Sequence, residues 1–239
     1  MAAASAAPAR VVITGASRGL GAAIAARLAT AGHRVVGLAR RPPVAPPEAL
    51  AAVEWLVCDV ADAGAVRAAA AQVRQGELPF ALIHCAGIAS MNLALTTPAS
   101  VMERLVATNL LGTMHVCQSF APLLIRRGGG RILNVSTIAV ARALAGESVY
   151  AASKAGVESF SRCLARELGG FGITCNVIAP GPIATDLLRG LSDAQIEAVV
   201  AQQLLPRRFT PEDVADLVEL LLAPGAAMLT GQVLHVGGV

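Results

Sequence analysis

Short runs of apolar residues alternate along the whole chain with longer stretches in which apolar residues recur at helical spacing. Apolar runs rich in Val and Ile are typical of strands that are buried on both faces of a parallel sheet. The predicted strands are Arg10–Thr14, His33–Ala39, Val53–Val57, Phe80–His84, Arg131–Val135, Ile173–Ile178 and Gln232–Val236. The predicted helices with two stated ends are Ala22–Ala31, Ser100–Arg127, Asp193–Gln203 and Pro211–Leu222, with a short one near Glu48–Ala52. A further helix is capped by Asp62 and runs to about Gln75, and another contains Tyr150.

This alternation predicts an α/β fold, because parallel neighbouring strands must be joined by crossovers through helices. We expect a doubly wound parallel sheet of Rossmann type with about seven strands. No linker, repeat or change of composition divides the chain, so we expect a single domain over residues 1–239, with residues 1–9 as a flexible tail. Since 55% of the residues are hydrophobic and 15% are charged, there is enough apolar material for a core on both faces of the sheet.

Composition argues against several classes of protein. The net charge of +3 is modest and the arginines lack interleaved aromatic residues, which disfavours a nucleic-acid-binding surface. Every apolar run is shorter than the roughly 18 residues that a membrane span needs. The five cysteines have no Cys-x-x-Cys spacing, so neither a disulfide framework nor a metal site is expected. Without a recognisable signal peptide, a reducing, cytoplasmic location is the expectation.

A glycine-rich turn follows the first predicted strand and precedes the first helix, with the sequence Gly15-Ala-Ser-Arg-Gly19-Leu-Gly21. Glycine lets the backbone approach a pyrophosphate, which a helix N-terminus attracts. The turn therefore predicts a nucleotide-binding loop, and a plain strand-to-helix connection is the alternative.

The second predicted strand ends in Arg40-Arg41, where NAD-specific sites place an acidic residue on the ribose hydroxyls. Together with Arg18 in the glycine-rich turn, these guanidiniums are suited to a 2′-phosphate. NADP is therefore the expected cofactor. The alternative is that all three arginines are solvated surface residues.

Tyr150 and Lys154 are four residues apart, so on a helix they lie on the same face. A nearby ammonium favours a phenolate, and we expect Lys154 to lower the pKa of Tyr150 toward the range in which proton transfer is efficient. Just upstream, Ser136 and Thr137 end the fifth predicted strand, at the sheet edge where ligands bind in α/β folds. This stretch is the predicted centre of the chemistry.

From about Val11 to its C-terminus, the chain resembles the short-chain dehydrogenases/reductases, and it is most similar to the 3-oxoacyl-acyl-carrier-protein reductase type. The elements that carry the resemblance are Thr14-Gly15-Ala-Ser-Arg-Gly19-Leu-Gly21, Asp59-Val60, Ala86-Gly87, Asn109, Tyr150-Ala-Ala-Ser-Lys154 and Pro180-Gly181-Pro-Ile183-Ala-Thr185.

The resemblance implies a catalytic set of Asn109, Thr137, Tyr150 and Lys154. By this resemblance Tyr150 is the general acid that protonates a carbonyl oxygen. Lys154 lowers the pKa of Tyr150 and holds the nicotinamide ribose, and Asn109 anchors a water molecule in a proton relay. Thr137 is expected to orient the carbonyl because it stands thirteen residues before the tyrosine, as a serine commonly does in relatives. A one-residue insertion between strand and helix would give that role to Ser136 instead.

Asp59 is expected to meet the adenine, and Ile183 and Thr185 to hold the carboxamide. The whole set expected to bind the cofactor is Gly15, Ser17, Arg18, Gly19, Leu20, Gly21, Arg40, Arg41, Asp59, Val60, Cys85, Ala86, Gly87, Tyr150, Lys154, Pro180, Gly181, Ile183 and Thr185.

The chain departs from the family pattern in two places. Where the family commonly has Asn-Asn-Ala-Gly, this chain has His84-Cys85-Ala-Gly87, so a thiol replaces a side-chain amide that ties the strands around the cofactor. We interpret His84 as structural and Cys85 as an inert buried thiol. Relatives also use basic residues to dock the carrier protein. Arg126 and Arg127 are candidates here, whereas Phe171 stands at a position that is often basic.

The sequence thus predicts an NADPH-dependent reductase that converts a carbonyl to a secondary alcohol, with a 3-oxoacyl thioester as substrate, in fatty acid or polyketide-type biosynthesis. The expected partners are acyl-carrier protein and further copies of the chain, as a homotetramer or dimer. The alternatives are a dehydrogenase of another secondary alcohol, such as a sugar, polyol or steroid, and a non-catalytic nucleotide-sensing or scaffold protein. The intact Asn109, Tyr150 and Lys154 argue against the last of these.

Overall fold

A seven-stranded sheet forms the centre of the protein in the computed structural model, which describes residues 7–183 and 192–239. The strands are β1 (Arg10–Thr14), β2 (Arg34–Ala39), β3 (Glu54–Val57), β4 (Ala81–His84), β5 (Gly130–Val135), β6 (Ile173–Ala179) and β7 (Val233–His235). Their order is β3-β2-β1-β4-β5-β6-β7, and all neighbours are parallel. The order reverses between β1 and β4, which is where doubly wound folds open a crevice for a ligand.

Helices connect the strands and cover both faces of the sheet. They are α1 (Gly19–Thr30), α2 (Ala63–Arg74), α3 (Ala99–Leu105), α4 (Gly112–Arg127), α5 (Ala139–Arg142), α6 (Ser148–Leu168), α7 (Asp193–Val200) and α8 (Pro211–Leu222). A π-helical segment, Val106–Leu111, joins α3 to α4 in one continuous helical stretch. Single 3₁₀ segments lie at Glu48–Leu50, Ala94–Thr96, Gly169–Phe171 and Pro224–Met228.

Two apolar layers hold the helices to the sheet. On one face, α1 and α8 pack against each other and against β1, with Ile24, Leu28 and Val218 fully buried. On the other face, α2, α4 and α6 cover the strands around Phe120. Because both faces are covered, the strands read as continuous apolar runs. Within residues 7–183 and 192–239, none of the helices is long and apolar enough to cross a membrane.

The predicted fold class is confirmed, and most predicted elements lie within a few residues of those observed. Asp62 caps α2 as expected, since its carboxylate accepts hydrogen bonds from the amides of Gly64 and Ala65. The short helix expected near Glu48–Ala52 is a single 3₁₀ turn, and α7 ends at Val200 rather than at Gln203.

The sequence did not predict α5, because four residues are too few to show a periodic pattern. The expected flexible tail at 1–9 does not extend as far as residue 9. Ala9 is buried, and its amide donates to Nδ1 of His33 at 3.2 Å. Residues 1–6 of the tail lie outside the described residues.

Candidate active site

A cavity of about 950 Å³ opens along the carboxyl ends of the strands, at the point where the strand order reverses. It begins at the glycine-rich turn between β1 and α1, passes the ends of β2 and β4, and reaches the end of β5 and the first turn of α6. A cavity of this volume accommodates a dinucleotide-sized or drug-sized ligand.

The glycine-rich turn forms a close backbone cradle at one end of the cavity. Gly15 and Gly19 both adopt positive φ, at 67° and 55°, which glycine tolerates far better than other residues. A Cβ at Gly15 would lie 2.8 Å from the Cα of Ala86, and a Cβ at Gly21 would lie 2.3 Å from the carbonyl oxygen of Gly15. The turn therefore accepts no side chain at these positions, and the N-terminus of α1 faces the cavity as in phosphate-binding loops.

Three arginines border the cavity beyond this turn, and all three are exposed. They are Arg18 at the N-cap of α1, and Arg40 and Arg41 just after β2. Asp59 and Val60 follow β3 along the same wall. This end of the cavity combines backbone amides with guanidiniums, a donor set that fits the phosphates of a dinucleotide.

Thr14 ties the end of β1 to the end of β4. Its hydroxyl accepts a hydrogen bond from the amide of Ala86 at 3.2 Å and shares one of 2.8 Å with Nδ1 of His84. Burial, followed by the charge of Lys154, lowers the pKa of His84 to about 3, so its ring is neutral at physiological pH. Burial raises the pKa of the Cys85 thiol to about 12. Both residues are therefore uncharged here.

Asn109 lies fully buried in the π-helical segment and joins the loop after β4 to α6. Its side-chain amide exchanges two hydrogen bonds of 2.9 Å with the backbone of Ile88, and its Nδ2 also donates to the Ser153 hydroxyl at 3.0 Å. A Cβ at Gly87 would lie 3.3 Å from both Asn109 Oδ1 and Lys154 Nζ. The asparagine and the lysine thus flank the same glycine. π-Helical segments are frequent at functional sites.

Tyr150 and Lys154 lie on one face of α6, and both border the cavity. The ammonium of Lys154 is buried and donates to the carbonyl oxygen of Val135, at the end of β5, at 2.8 Å. Burial lowers its pKa to about 8. Burial raises the pKa of Tyr150 to about 12, and the charge of Glu147 adds to this increase.

The pKa of Tyr150 corrects one expectation from the sequence. Lys154 was expected to lower it, yet the phenol is a weaker acid than a free tyrosine, because burial, and then the charge of Glu147, raises its pKa by more than the hydrogen bond of Thr137 lowers it. The group that does lower the pKa is Thr137, through a hydrogen bond between the two hydroxyls. At neutral pH the phenol is protonated.

Ser136 and Thr137 are successive residues with different partners. The Ser136 hydroxyl is buried and donates to Oε1 of Glu158, on α6, at 2.6 Å. The Thr137 hydroxyl accepts a hydrogen bond from the amide of Ala139 at 3.2 Å and also reaches the Tyr150 phenol. Both residues border the cavity, but only Thr137 has its hydroxyl on the phenol.

Comparison with known proteins agrees with this arrangement. A family model described as enoyl-(acyl carrier protein) reductase matches residues 15–238. The chain belongs to the short-chain dehydrogenase/reductase family.

Relatives within the short-chain dehydrogenase/reductase family match nearly the full chain. The 3-oxoacyl-acyl-carrier-protein reductase FabG of Pseudomonas aeruginosa is 38% identical over 235 residues, and the match covers 95% of this chain and 95% of that protein. The enzyme of the same description from Escherichia coli is 34% identical over 232 residues, again with 95% of each covered. A solved structure of a short-chain type dehydrogenase/reductase from Mycobacterium ulcerans has a TM-score of 0.88 and 28% identity, covering 98% of this chain and 90% of that chain. The resemblance inferred from the sequence is confirmed.

Nearly all the site residues that were predicted from the sequence of this short-chain dehydrogenase/reductase lie around the cavity described above. Those predicted for the cofactor that border it are Gly15, Ser17, Arg18, Gly19, Leu20, Gly21, Arg40, Arg41, Asp59, Val60, Cys85, Ala86, Gly87, Tyr150, Lys154, Pro180, Gly181 and Ile183. Thr185 lies outside the described residues. Asn109 stands behind the lining and acts through its contacts with Ile88 and Ser153.

Arg126 and Arg127, the candidates for docking a carrier protein, do not border the cavity. They end α4, which leads directly into the amino end of β5, and the guanidinium of Arg127 lies 5.0 Å from the ring centre of Phe80, just before β4. They are therefore at the amino edge of the sheet, opposite the mouth of this chain's own cavity. Phe171 lies at the same edge, just before β6.

Sequence reasoning about this short-chain dehydrogenase/reductase missed Glu147, the residue that precedes α6. It is 8% exposed, borders the cavity and raises the pKa of Tyr150. The available signal was a carboxylate three residues before the tyrosine. In the part of the chain that the structure describes, no group of three or more His, Cys, Asp or Glu side chains is arranged to hold a metal ion.

Proposed function

We propose that this oxidoreductase uses NADPH to reduce a carbonyl to a secondary alcohol, and that its substrate is a 3-oxoacyl thioester. The observation that carries the proposal is the convergence of Tyr150, Thr137 and Lys154 at one end of a cavity whose other end is the glycine-rich turn. The two named relatives are 3-oxoacyl-acyl-carrier-protein reductases, which supports the thioester as the substrate.

In this proposal Tyr150 is the general acid. Because its pKa is raised to about 12, the phenol carries its proton throughout the neutral range, which is the form that reduction requires. The phenol gives that proton to the carbonyl oxygen as the oxygen gains negative charge. Thr137, whose hydroxyl already meets the phenol, donates a hydrogen bond to the same oxygen and fixes its position.

The remaining predicted residues hold the cofactor, which when bound supplies the hydride. The glycine-rich turn binds its pyrophosphate, Arg18 and Arg40, with Arg41, its 2′-phosphate, and Asp59 its adenine. Lys154 holds the nicotinamide ribose, and Asn109 keeps the loop after β4 in place and anchors a water behind the lysine. Ile183 and Thr185 complete the set at the carboxamide.

We also propose acyl-carrier protein and further copies of the chain as partners. Since Arg126 and Arg127 lie at the amino edge of the sheet, they would contact a carrier protein bound at the cavity only if a second copy brought them there. A homotetramer, or a dimer, is consistent with the exposed apolar side chains of Leu111, Leu220 and Met228.

The test is turnover by wild type and by Tyr150→Phe, followed through the absorbance of NADPH, with 3-oxoacyl-carrier protein and with the same acyl chain on coenzyme A. Wild type should reduce both, and the carrier-protein form with the higher kcat/KM. Tyr150→Phe should lose roughly a hundredfold to ten-thousandfold in kcat, because only the proton donor is removed. NADPH binding by this variant, measured by titration, is the control for folding. Turnover near that of wild type would contradict the mechanism.

A further inference from the structure

Glu147 is a carboxylate enclosed in the active-site cavity without an obvious structural task. Only 8% of the residue is exposed. Within residues 7–183 and 192–239, its side chain has neither a hydrogen bond nor an ion pair. Its backbone is fully engaged, since its amide donates to Leu144 and its carbonyl accepts from Ala151. The side chain therefore neither caps α6 nor pairs with a cation among these residues.

A carboxylate in this position is unfavourable unless something else compensates it. Burial of a carboxylate without partners disfavours its charged form, and burial does raise the pKa of Glu147. The carboxylate oxygens are not among the fully buried side-chain atoms without a partner, and the residue borders the cavity, so a ligand in the cavity would reach them.

Several apolar side chains border the same cavity as Glu147, Tyr150, Thr137 and Lys154. They are Met91, Ile138, Leu144, Ile196 and Val199. Binding sites of this kind use apolar walls for affinity and a few polar groups for orientation. A lone carboxylate among such walls selects for a hydrogen-bond donor and against another anion.

We propose that Glu147 determines substrate specificity within the proposed 3-oxoacyl thioesters, by accepting a hydrogen bond from an O–H or N–H donor, a hydroxyl or an ammonium, that the acyl chain carries as a substituent beside the reacting carbonyl. This inference rests on the proposed carbonyl reduction, because it uses the proximity of Glu147 to the proton donor Tyr150. A plain alkyl ketone would leave the carboxylate unpaired, and a ketone with an adjacent carboxylate would be repelled by it. Sites built to pair with a polar group discriminate strongly against analogues that lack it.

The test compares ketones that are matched in length and differ in the group next to the carbonyl: methyl, hydroxyl, ammonium or carboxylate. For wild type, kcat/KM should be about tenfold or more higher with the hydroxyl or ammonium than with the methyl, and lowest with the carboxylate. Preference for the ammonium alone indicates charge pairing, and preference for both indicates hydrogen bonding. Either supports the proposal.

Two substitutions separate the charge from the acceptor. Glu147→Gln keeps an acceptor oxygen and should lose the preference for the ammonium while keeping part of that for the hydroxyl. Glu147→Leu should lose both preferences. Glu212→Gln, which neutralises an exposed carboxylate away from the cavity, is the matched control and should keep the wild-type ratios. Ratios between substrates cancel any general loss of activity.

A second measurement separates failure of this inference from failure of the proposed function. Calorimetric binding of the same ketones to Tyr150→Phe with NADPH reports affinity without turnover. If wild type reduces none of the ketones but the NADPH-loaded variant still binds the donor-bearing ones more tightly, the proposed function fails and the role of Glu147 stands. The inference is overturned if the donor-bearing and methyl ketones bind equally, or if Glu147→Leu keeps the wild-type preference.

Discussion

Replacing Ser136 and Thr137 one at a time should separate a structural hydroxyl from a catalytic one. The two residues are adjacent, yet Ser136 donates to the buried carboxylate of Glu158 while Thr137 reaches the phenol of Tyr150. Ser136→Ala should therefore reduce stability and leave most of the activity. Thr137→Val, which keeps the shape of the side chain, should reduce activity and leave most of the stability.

The magnitudes follow from the contacts. The hydrogen bond from Ser136 to Glu158 is 2.6 Å long and nearly inaccessible to solvent. Loss of a hydrogen bond to a charged group lowers the free energy of unfolding by about 1.5 to 3 kcal/mol. In a chain of this size that corresponds to a decrease in Tm of roughly 3 to 12 °C. Thr137→Val removes the acceptor for the amide of Ala139, which is worth about 0.5 to 1.5 kcal/mol, together with the hydrogen bond to the Tyr150 phenol at the edge of the cavity.

The effect on catalysis should be the reverse. Removal of one donor to a developing oxyanion lowers kcat by about a hundredfold to a thousandfold, and that is the expected loss in Thr137→Val. The assays are kcat from NADPH absorbance and Tm from circular dichroism on the same preparations. Glu158→Gln combined with Ser136→Ala should be less destabilising than the sum of the two single changes, because the two side chains share one bond.

One pattern of results would refute this reasoning. If Ser136→Ala abolishes turnover at an unchanged Tm while Thr137→Val keeps wild-type kinetics, then Ser136 orients the carbonyl. The spacing of thirteen residues between the carbonyl-orienting hydroxyl residue and the tyrosine, common in relatives, would then not apply to this chain.

Three further predictions concern the cofactor, pH and assembly. Arg40→Ala should weaken NADPH binding by about 10- to 140-fold, the equivalent of one charge-assisted hydrogen bond, and should leave NADH binding close to wild type. Arg74→Ala is the surface control. An equal loss of affinity for both cofactors would argue against a contact between Arg40 and the 2′-phosphate. In the alcohol-oxidation direction the phenolate of Tyr150 must accept the proton, so the rate should rise with pH toward the raised pKa of about 12. Glu147→Gln should shift this pH profile to lower pH, because it removes a negative charge that raises the pKa of Tyr150. Identical pH profiles for the variant and wild type would contradict this effect of Glu147. Light scattering should give a mass of about four chains of 24.2 kDa, or two for a dimer, whereas a stable monomer at micromolar concentration would exclude the assembly.

The fold could be predicted well because its signals are local. Apolar runs such as Val11–Ile13 are continuous since both faces of a parallel sheet are covered, and helices with strong boundary residues were placed accurately. The helix at Pro211–Leu222 has the predicted bounds, since Thr210 and Asp213 form a capping box and Pro211 stands at its first turn. α7 also begins with a capping box, of Ser192 and Gln195, but no comparable residue marks its C-terminal end, which was the bound predicted wrongly; the unpredicted α5 has no side-chain cap.

What sequence reasoning could not supply was burial around the site. The spacing of Tyr150 and Lys154 places them on one helix face, but the pKa of the phenol depends on how much solvent the surrounding chain removes. In the sequence, Glu147 looks like an ordinary loop carboxylate, and only the cavity shows that it is enclosed. By contrast, the position of Arg126 and Arg127 was deducible, because a helix that leads into a parallel strand ends at the amino edge of the sheet.

At the end of β4, Cys85 stands where the family commonly has an asparagine, and a different pair of side chains, Thr14 and His84, connects the strands there. A thiol at Cys85 cannot make the hydrogen bonds of the side-chain amide that the family commonly has at this position. Instead, Thr14 and His84 are register partners on neighbouring strands, and the Thr14 hydroxyl binds both the imidazole and the amide of Ala86. That amide precedes Gly87, which the side chains of Lys154 and Asn109 flank, so the tie lies next to both of these residues. Since burial keeps His84 neutral, the tie is made without placing a second positive charge beside Lys154.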